Sequence, residues 1–199
     1  ARVAELAQGA GTLLIADEVV TGFGRTGSLF ACEQAGVAPD ILCLSKALTG
    51  GTMAMAATTA TRTVFEGFQG ADEDTALMHG PTFTGNPLAA AAANASLDLF
   101  EREPRMRQAA AIEEQLTREL APLRELPGVM DVRIKGAMGA VQVADAASRD
   151  WMRKRFVDHG VWIRPLGDVV YTTPPLVIDP EDLSRLTHAM GRVIGETFA

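Results

Sequence analysis

The chain has 199 residues, of which 47% are hydrophobic and 22% are charged, a composition typical of a globular protein with a sizeable core. Its formal net charge is −7, which argues against a nucleic-acid surface because phosphate binding requires clustered lysines and arginines. The length allows one large domain or two small ones.

The cysteine and histidine content disfavours a metal site. Cys32 and Cys43 stand in apolar surroundings, no CxxC pair occurs, and the three histidines are scattered. We expect both thiols to be buried and reduced, as in a cytoplasmic protein. No signal peptide is visible, and the longest apolar-rich region, residues 88–99, is too short to span a bilayer.

Strands and helices alternate in the first half of the chain. After the tail of a helix, residues 13–16 form a continuous apolar run, which predicts a strand buried on both faces of a parallel sheet. A short helix ending at Gly36 leads to a second buried strand, residues 41–44. A third strand runs into another helix within residues 53–68. This alternation predicts an α/β sheet.

Two longer helices are predicted next. The first begins at Pro87, since proline favours the first helical turn and good helix formers follow it. The second is amphipathic and covers residues 105–126. We place a domain boundary between them, which divides the chain into an α/β domain, residues 1–103, and a smaller α+β domain, residues 104–199.

The remaining residues have the pattern of an α+β domain. Residues 129–144 alternate like an antiparallel hairpin, a helix follows, and residues 161–175 predict strand, turn and strand. A final helix has Asp179 as its N-cap. Trp151 and Trp162 are expected in the core.

The stretch GFGRTG, residues 22–27, formally matches the dinucleotide-binding fingerprint. In that fold the glycine turn begins where the strand ends, and the diphosphate lies on the next helix. Here Asp17, Glu18 and two valines intervene, and a carboxylate there would repel a diphosphate. The acid expected at the end of the second strand is also missing, because Asp40 precedes that strand. We therefore interpret the glycines as loop-forming and Arg25 as structural.

Polar side chains follow both predicted parallel strands. Asp17 ends the first strand, and Ser45 and Lys46 end the second, at the sheet edge where α/β proteins bind ligands. A buried carboxylate and a buried amine need compensation, which either a plain Asp17–Lys46 ion pair or a cofactor could supply. Pyridoxal phosphate requires a lysine amine, a carboxylate beside its ring nitrogen and donors for its phosphate. In HGPTFTGNP, Thr82 could donate to that phosphate.

Three sequence blocks carry a family resemblance. They are DEVVTGFGRTGSLFACEQAGVAPDILCLSKALTGG, HGPTFTGNPLA and GVWIRPLGDVVYTTPP, in that order, and they resemble the class III pyridoxal-phosphate aminotransferases of fold type I. The resemblance covers essentially the whole chain and implies part of the large α/β domain plus a C-terminal α+β domain. Within the family, the blocks are most similar to the members that act in biotin synthesis. That similarity implies S-adenosylmethionine as amino donor and 8-amino-7-oxononanoate as acceptor.

The resemblance implies a role for each cofactor-binding residue. Lys46 would bind pyridoxal phosphate covalently and move a proton during catalysis. Asp17 would pair with the pyridine nitrogen, and Val19 would pack on the ring. Pro81 and Thr82 would contact the phosphate held by the neighbouring subunit, which implies a homodimer with a shared active site.

The resemblance also implies substrate contacts. Gly80 would approach the substrate, and Arg164 would hold its carboxylate, with Tyr171 nearby. Glu18 is left with two alternative roles, assistance to the cofactor's hydroxyl network or a cap on the loop. Ser45 departs from the family, in which glycine commonly precedes the lysine.

The chain is expected to correspond to the second half of such an enzyme. Members of the family carry a glycine-serine phosphate loop and an aromatic shelf in an earlier segment, and nothing here matches either. Three alternatives remain: a class III aminotransferase acting on ornithine, 4-aminobutyrate or an ω-amino acid, a non-catalytic cofactor-binding module, and a dinucleotide-binding module.

Overall fold

The structure, a computed structural model, describes residues 1–198 and divides into two units. Unit 1 comprises Ala1–Phe23 and Ser28–Pro104, and unit 2 comprises Gly24–Gly27 and Arg105–Ala199. Among the described residues, none of the helices has the length and apolar character that a membrane span requires.

Unit 1 is an α/β arrangement around a three-stranded sheet of order β1-β2-β3. Its strands are β1 (Ile15–Asp17), β2 (Ile41–Leu44) and β3 (Ala57–Ala60), and its helices are α1 (Arg2–Gly9), α2 (Ala31–Gln34), α3 (Arg62–Glu66) and α4 (Pro87–Arg102). Strands β1 and β2 pair in parallel, as the sequence predicts, whereas β3 pairs with β2 in the antiparallel direction.

The prediction that the first strand is buried on both faces is wrong. Leu13 is 53% exposed and Ile15 is 59% exposed. Burial on both faces requires elements packed against each side of a sheet, and within the described residues β1 lies at the sheet edge. The apolar run therefore predicts the strand correctly, but its burial on both faces is not seen in this chain.

Helix α4 begins where the sequence predicts. Pro87 occupies the first turn, and the Asn86 side chain accepts a hydrogen bond from the Leu88 backbone N–H at 3.0 Å. The buried side of the helix carries small residues, with Ala89 and Ala93 1% and 6% exposed. Such residues allow a helix to pack closely against neighbouring backbone.

Unit 2 combines three helices with an antiparallel sheet. The helices are α5 (Arg105–Leu120), α6 (Arg149–Asp158) and α7 (Pro180–Phe198), and the strands are β4 (Val129–Lys135), β5 (Met138–Val143) and β6 (Val169–Thr172). The predicted hairpin is β4 and β5, and β6 pairs with β5. Its core contains Leu116, Leu120, Val141, Phe156 and Met190, each 0% exposed.

Several element boundaries in unit 2 differ from the predictions. Helix α5 ends at Leu120 because Pro122 lies in the following 3-10 turn, Ala121–Glu125. The strand predicted at the start of residues 161–175 is absent from the described fold, since Pro165 cannot donate to a strand ladder. The N-cap at Asp179 is confirmed, because its Oδ1 accepts from the Glu181 N–H at 2.8 Å.

The tryptophans are not in the core. Trp151 is 44% exposed and Trp162 is 76% exposed. Trp151 packs instead beneath the Arg155 guanidinium, which lies 5.9 Å from its ring centroid. Trp162 precedes Ile163, which turns inward and is only 4% exposed.

Candidate active site

Asp17 and Lys46 both lie at the carboxyl ends of the parallel strands in unit 1. Asp17, the last residue of β1, pairs in register with Cys43 of the parallel strand β2. Lys46 follows Cys43 by three residues and is the second residue after β2 ends. Both side chains are exposed, so the expectation of a buried pair is wrong.

Lys46 has an unusual backbone conformation. Its φ is 46°, in the left-handed region that non-glycine residues rarely adopt and that is often found at functional sites. A 3-10 helix, Lys46–Thr49, begins at this residue. Within residues 1–198 the Lys46 amine makes no hydrogen bond or ion pair, and a plain Asp17–Lys46 ion pair is therefore excluded there.

A local turn fixes the Asp17 carboxylate. Its Oδ1 accepts a hydrogen bond from the Val19 backbone N–H at 3.0 Å. This Asx-type turn restricts the side-chain rotamer, and the second carboxylate oxygen has no donor from the described residues. Asp17 can therefore accept a proton or hydrogen bond from a ligand.

Glu18 organises the loop that follows Asp17. Its side chain is 3% exposed, and it accepts hydrogen bonds from the Thr21 hydroxyl and from the Cys32 N–H at 2.8 Å. Burial by itself raises the pKa of Glu18, but these bonds and another from the Ala31 N–H outweigh burial and lower the net pKa. Of the two roles left open for Glu18, the contacts favour the loop cap.

Cys32 shares this hydrogen-bond network. Burial, together with the hydrogen bond to Glu18 and the charge of that carboxylate, raises the pKa of the Cys32 thiol. Both Cys32 and Cys43 are unpaired, as expected, although they are only partly buried. A protonated Cys32 thiol donates a hydrogen bond to the buried Glu18 carboxylate and so helps to stabilise its charge.

The HGPTF segment is exposed and borders a cleft in unit 1. Gly80, Pro81 and Thr82 all have exposed side chains or backbone. Pro81 and His79 line a cleft of about 410 Å³ whose wall also includes Met55. The Met55 carbonyl accepts a hydrogen bond from the Ser45 hydroxyl at 2.8 Å, so this wall is linked to the residue next to Lys46.

Arg164 and Tyr171 lie in unit 2. Arg164 is exposed between Ile163 and Pro165, both buried. Tyr171 of β6 is 38% exposed and pairs in register with Ala140 of β5. Both polar side chains are thus accessible on the surface of their unit.

The GFGRTG loop makes structural contacts within unit 2. Arg25 donates from its guanidinium to the Pro174 carbonyl at 2.5 Å and the Ala137 carbonyl at 3.3 Å, and burial lowers its pKa. At Gly136 an added Cβ would lie 2.3 Å from the Gly27 nitrogen. These contacts agree with the structural interpretation of Arg25 and its glycines.

A comparison with known families decides the class of protein. The sequence pattern of the family described as aminotransferase class-III matches residues 1–194. This chain belongs to the class III aminotransferases. The solved structures it resembles are class III transaminases, and its fold is accordingly that of fold type I.

Curated relatives and solved structures within the class share less than half of their length with this chain. This chain is 44% identical to the adenosylmethionine-8-amino-7-oxononanoate aminotransferases of Buchnera aphidicola and Corynebacterium glutamicum. The two alignments cover 92% and 94% of this chain but only 43% and 44% of those proteins. The crystal structure of the Methanocaldococcus jannaschii protein of the same name has a TM-score of 0.89 at 35% identity, covering 98% of this chain and 48% of that one. An omega transaminase from Pseudomonas jessenii, solved in complex with PMP, has a TM-score of 0.91 at 31% identity, covering 98% of this chain and 46% of that one.

Proposed function

We propose that the protein containing this chain is a pyridoxal-phosphate-dependent aminotransferase of biotin biosynthesis. It transfers the amino group of S-adenosylmethionine to 8-amino-7-oxononanoate and gives 7,8-diaminononanoate. The observation that carries the proposal is the unpartnered amine of Lys46, placed at the same strand edge as the Asp17 carboxylate. The names of the relatives at 44% identity support these substrates.

The donor set fits the cofactor. Pyridoxal phosphate requires a lysine amine and a carboxylate for its ring nitrogen, and here a free amine and a carboxylate with one open oxygen meet both requirements. When bound, pyridoxal phosphate supplies an electron sink that stabilises the negative charge left on a carbon after proton removal.

The chain's own residues provide covalent attachment, proton transfer and charge. The Lys46 amine would hold the cofactor covalently and would move a proton at the reacting carbon. The Asp17 carboxylate would keep the ring nitrogen protonated, and Val19, two residues further on, would pack against the ring. The hydrogen bond from the Val19 N–H to Asp17 couples these two positions.

The HGPTF segment would bind the phosphate across a homodimer. Thr82 offers a hydroxyl and Pro81 restricts the local backbone. Large apolar side chains in and beside this segment are exposed: Leu77 64%, Met78 80%, Phe83 80% and Leu88 71%. Such a patch marks an interaction surface, and the occupant we propose is a second copy of the protein, which would share its active site with the first.

Substrate recognition is assigned to three residues. Arg164 would hold the carboxylate of 8-amino-7-oxononanoate, since guanidinium geometry favours paired hydrogen bonds to carboxylates. Tyr171 would lie near that carboxylate, and Gly80 would approach the substrate because it lacks a side chain.

The unpaired thiols Cys32 and Cys43 favour a cytoplasmic location.

A donor-exchange assay tests the proposal. The protein in its full natural length is incubated with 8-amino-7-oxononanoate and either S-adenosylmethionine, ornithine or 4-aminobutyrate, and the diamine product is measured. We expect turnover with S-adenosylmethionine, and none in Lys46→Ala. Borohydride reduction followed by peptide mass spectrometry should place the cofactor on Lys46.

Other outcomes would point to other functions. Faster turnover with an ω-amino acid donor would favour an omega transaminase, the second candidate, which the likeness to the Pseudomonas jessenii structure supports. Cofactor binding without turnover of any donor would indicate a non-catalytic module. Full turnover by Lys46→Ala would refute the lysine assignment.

A further inference from the structure

Two serine hydroxyls restrain the backbone on either side of Lys46. The Ser45 hydroxyl donates to the Met55 carbonyl at 2.8 Å. The Ser96 hydroxyl, on helix α4, donates to the Ala47 carbonyl at 3.2 Å. The residues immediately before and after Lys46 are thus each tied to a different part of unit 1.

Lys46 has a backbone conformation that it would not keep without restraint from its surroundings. Lys46 has a φ of 46°, and the left-handed region is unfavourable for a residue with a Cβ, so it persists only where the surroundings impose it. The turn itself contributes two backbone bonds, from the Leu48 N–H to the Ser45 carbonyl and from the Gly50 N–H to the Ala47 carbonyl, both 3.0 Å. Those bonds close the turn, and the two hydroxyls attach it to its surroundings.

We propose that Ser45 and Ser96 are positioning residues that hold the Lys46 backbone in its left-handed conformation and thereby aim its amine at the cofactor. This inference rests on the proposed function. A glycine at position 45 would have no hydroxyl. In this chain, Ser45 therefore provides a restraint that a glycine would lack.

Removing each hydroxyl tests the proposal in the full-length protein. Ser45→Ala and Ser96→Ala each lose one hydrogen bond, while Ser45→Thr and Ser96→Thr keep a hydroxyl. Ser28→Ala is the control, because the Ser28 hydroxyl also donates to a backbone carbonyl in unit 1, that of Phe30 at 2.7 Å, and accepts from the Gln34 amide at 2.7 Å, but bonds to neither neighbour of Lys46.

The readout is the rate at which cofactor-free protein forms its covalent bond to pyridoxal phosphate, followed by visible absorbance. We expect each alanine variant to react about fivefold more slowly, from the usual net strength of one hydrogen bond. The double variant should react about 25-fold more slowly if the two effects add. The threonine variants should react at rates within about twofold of the wild-type rate, and Ser28→Ala should react at the wild-type rate. Melting temperature and the separate kcat and KM values are measured alongside.

The outcomes distinguish failure of the positioning role of Ser45 and Ser96 from failure of the proposed aminotransferase function. Alanine variants that melt earlier but react at the wild-type rate would show a purely structural role and overturn the positioning role. Should they fold poorly, Ser45→Gly gives a second protein without the hydroxyl. A wild-type protein that forms no bond at Lys46 would instead refute the proposed function, and the positioning role with it.

Discussion

Replacing Glu18 should destabilise the loop that carries Asp17. The Glu18 carboxylate is 3% exposed and accepts bonds from the Thr21 hydroxyl and the backbone N–H groups of Ala31 and Cys32. A hydrogen bond to a charged group contributes about 1.5–3 kcal/mol, and desolvation of the carboxylate offsets part of the sum. We therefore expect Glu18→Ala to lose about 3 kcal/mol of unfolding free energy at pH 7.

Urea unfolding and cofactor titration together test this expectation. For a chain of 199 residues taken by itself, the loss corresponds to a fall of roughly 6–12 °C in melting temperature, and in a longer protein the fall is smaller. Because Glu18 adjoins Asp17, the variant should also bind pyridoxal phosphate about tenfold more weakly, as expected when a binding residue loses its preorganised position.

Two further carboxylates serve as controls for Glu18→Ala. Glu119 of α5 accepts hydrogen bonds from Thr187 at 2.5 Å and Ser184 at 2.8 Å, so Glu119→Ala should destabilise unit 2 while leaving cofactor affinity unchanged. Glu66 has a side chain that is 60% exposed, and Glu66→Ala should change stability by less than about 0.5 kcal/mol. If Glu18→Ala were no more destabilising than Glu66→Ala, the role of Glu18 as a loop anchor would be refuted.

Three other predictions concern pH, packing and the ring nitrogen. The folded protein lowers the pKa of Glu18 below its ordinary 4.5, so its stabilising effect is complete above that value and is lost as the pH falls through the folded pKa. The unfolding free energy measured in urea should therefore decrease in acid, and less so in Glu18→Gln. Gly136→Ala should cost more than about 2 kcal/mol, because its Cβ would meet the Gly27 nitrogen at 2.3 Å and its φ is 54°, whereas Gly195→Ala, with nothing within 4 Å, should not destabilise the protein. Asp17→Asn should lower turnover by at least about 100-fold with stability unchanged, since the side chain is exposed. A turnover within tenfold of the wild type would contradict the ring-nitrogen role.

Elements with strong local signals were predictable from the sequence. The run 41–44 is β2, Pro87 begins α4, and Asp179 caps α7, because each depends on residues close in sequence. The burial of β1 and of Trp162 was not predictable in this way. Whether an apolar side chain is covered depends on which distant elements reach it, and periodicity carries no such information.

The same distinction applies to the candidate site. The positions of Asp17 and Lys46 at adjoining strand ends follow from two apolar runs and the rule that ligands bind at the carboxyl ends of parallel strands. Their exposure and the network around Glu18 depend on tertiary contacts, such as the bond from the Cys32 N–H, 14 residues away. An acid directly after Asp17, within an apolar stretch, was the one signal that could have pointed to a buried cap.

The left-handed conformation of Lys46 explains why the lysine and its neighbours must be considered together. Propensity alone would give a non-glycine residue after β2 an extended or right-handed backbone conformation. Lys46 has neither conformation. The deciding contacts come from Met55, nine residues further on, and from Ser96 on α4. The reactive residue can thus be identified from a short motif, whereas the direction of its side chain depends also on Met55 and Ser96, which lie outside that motif.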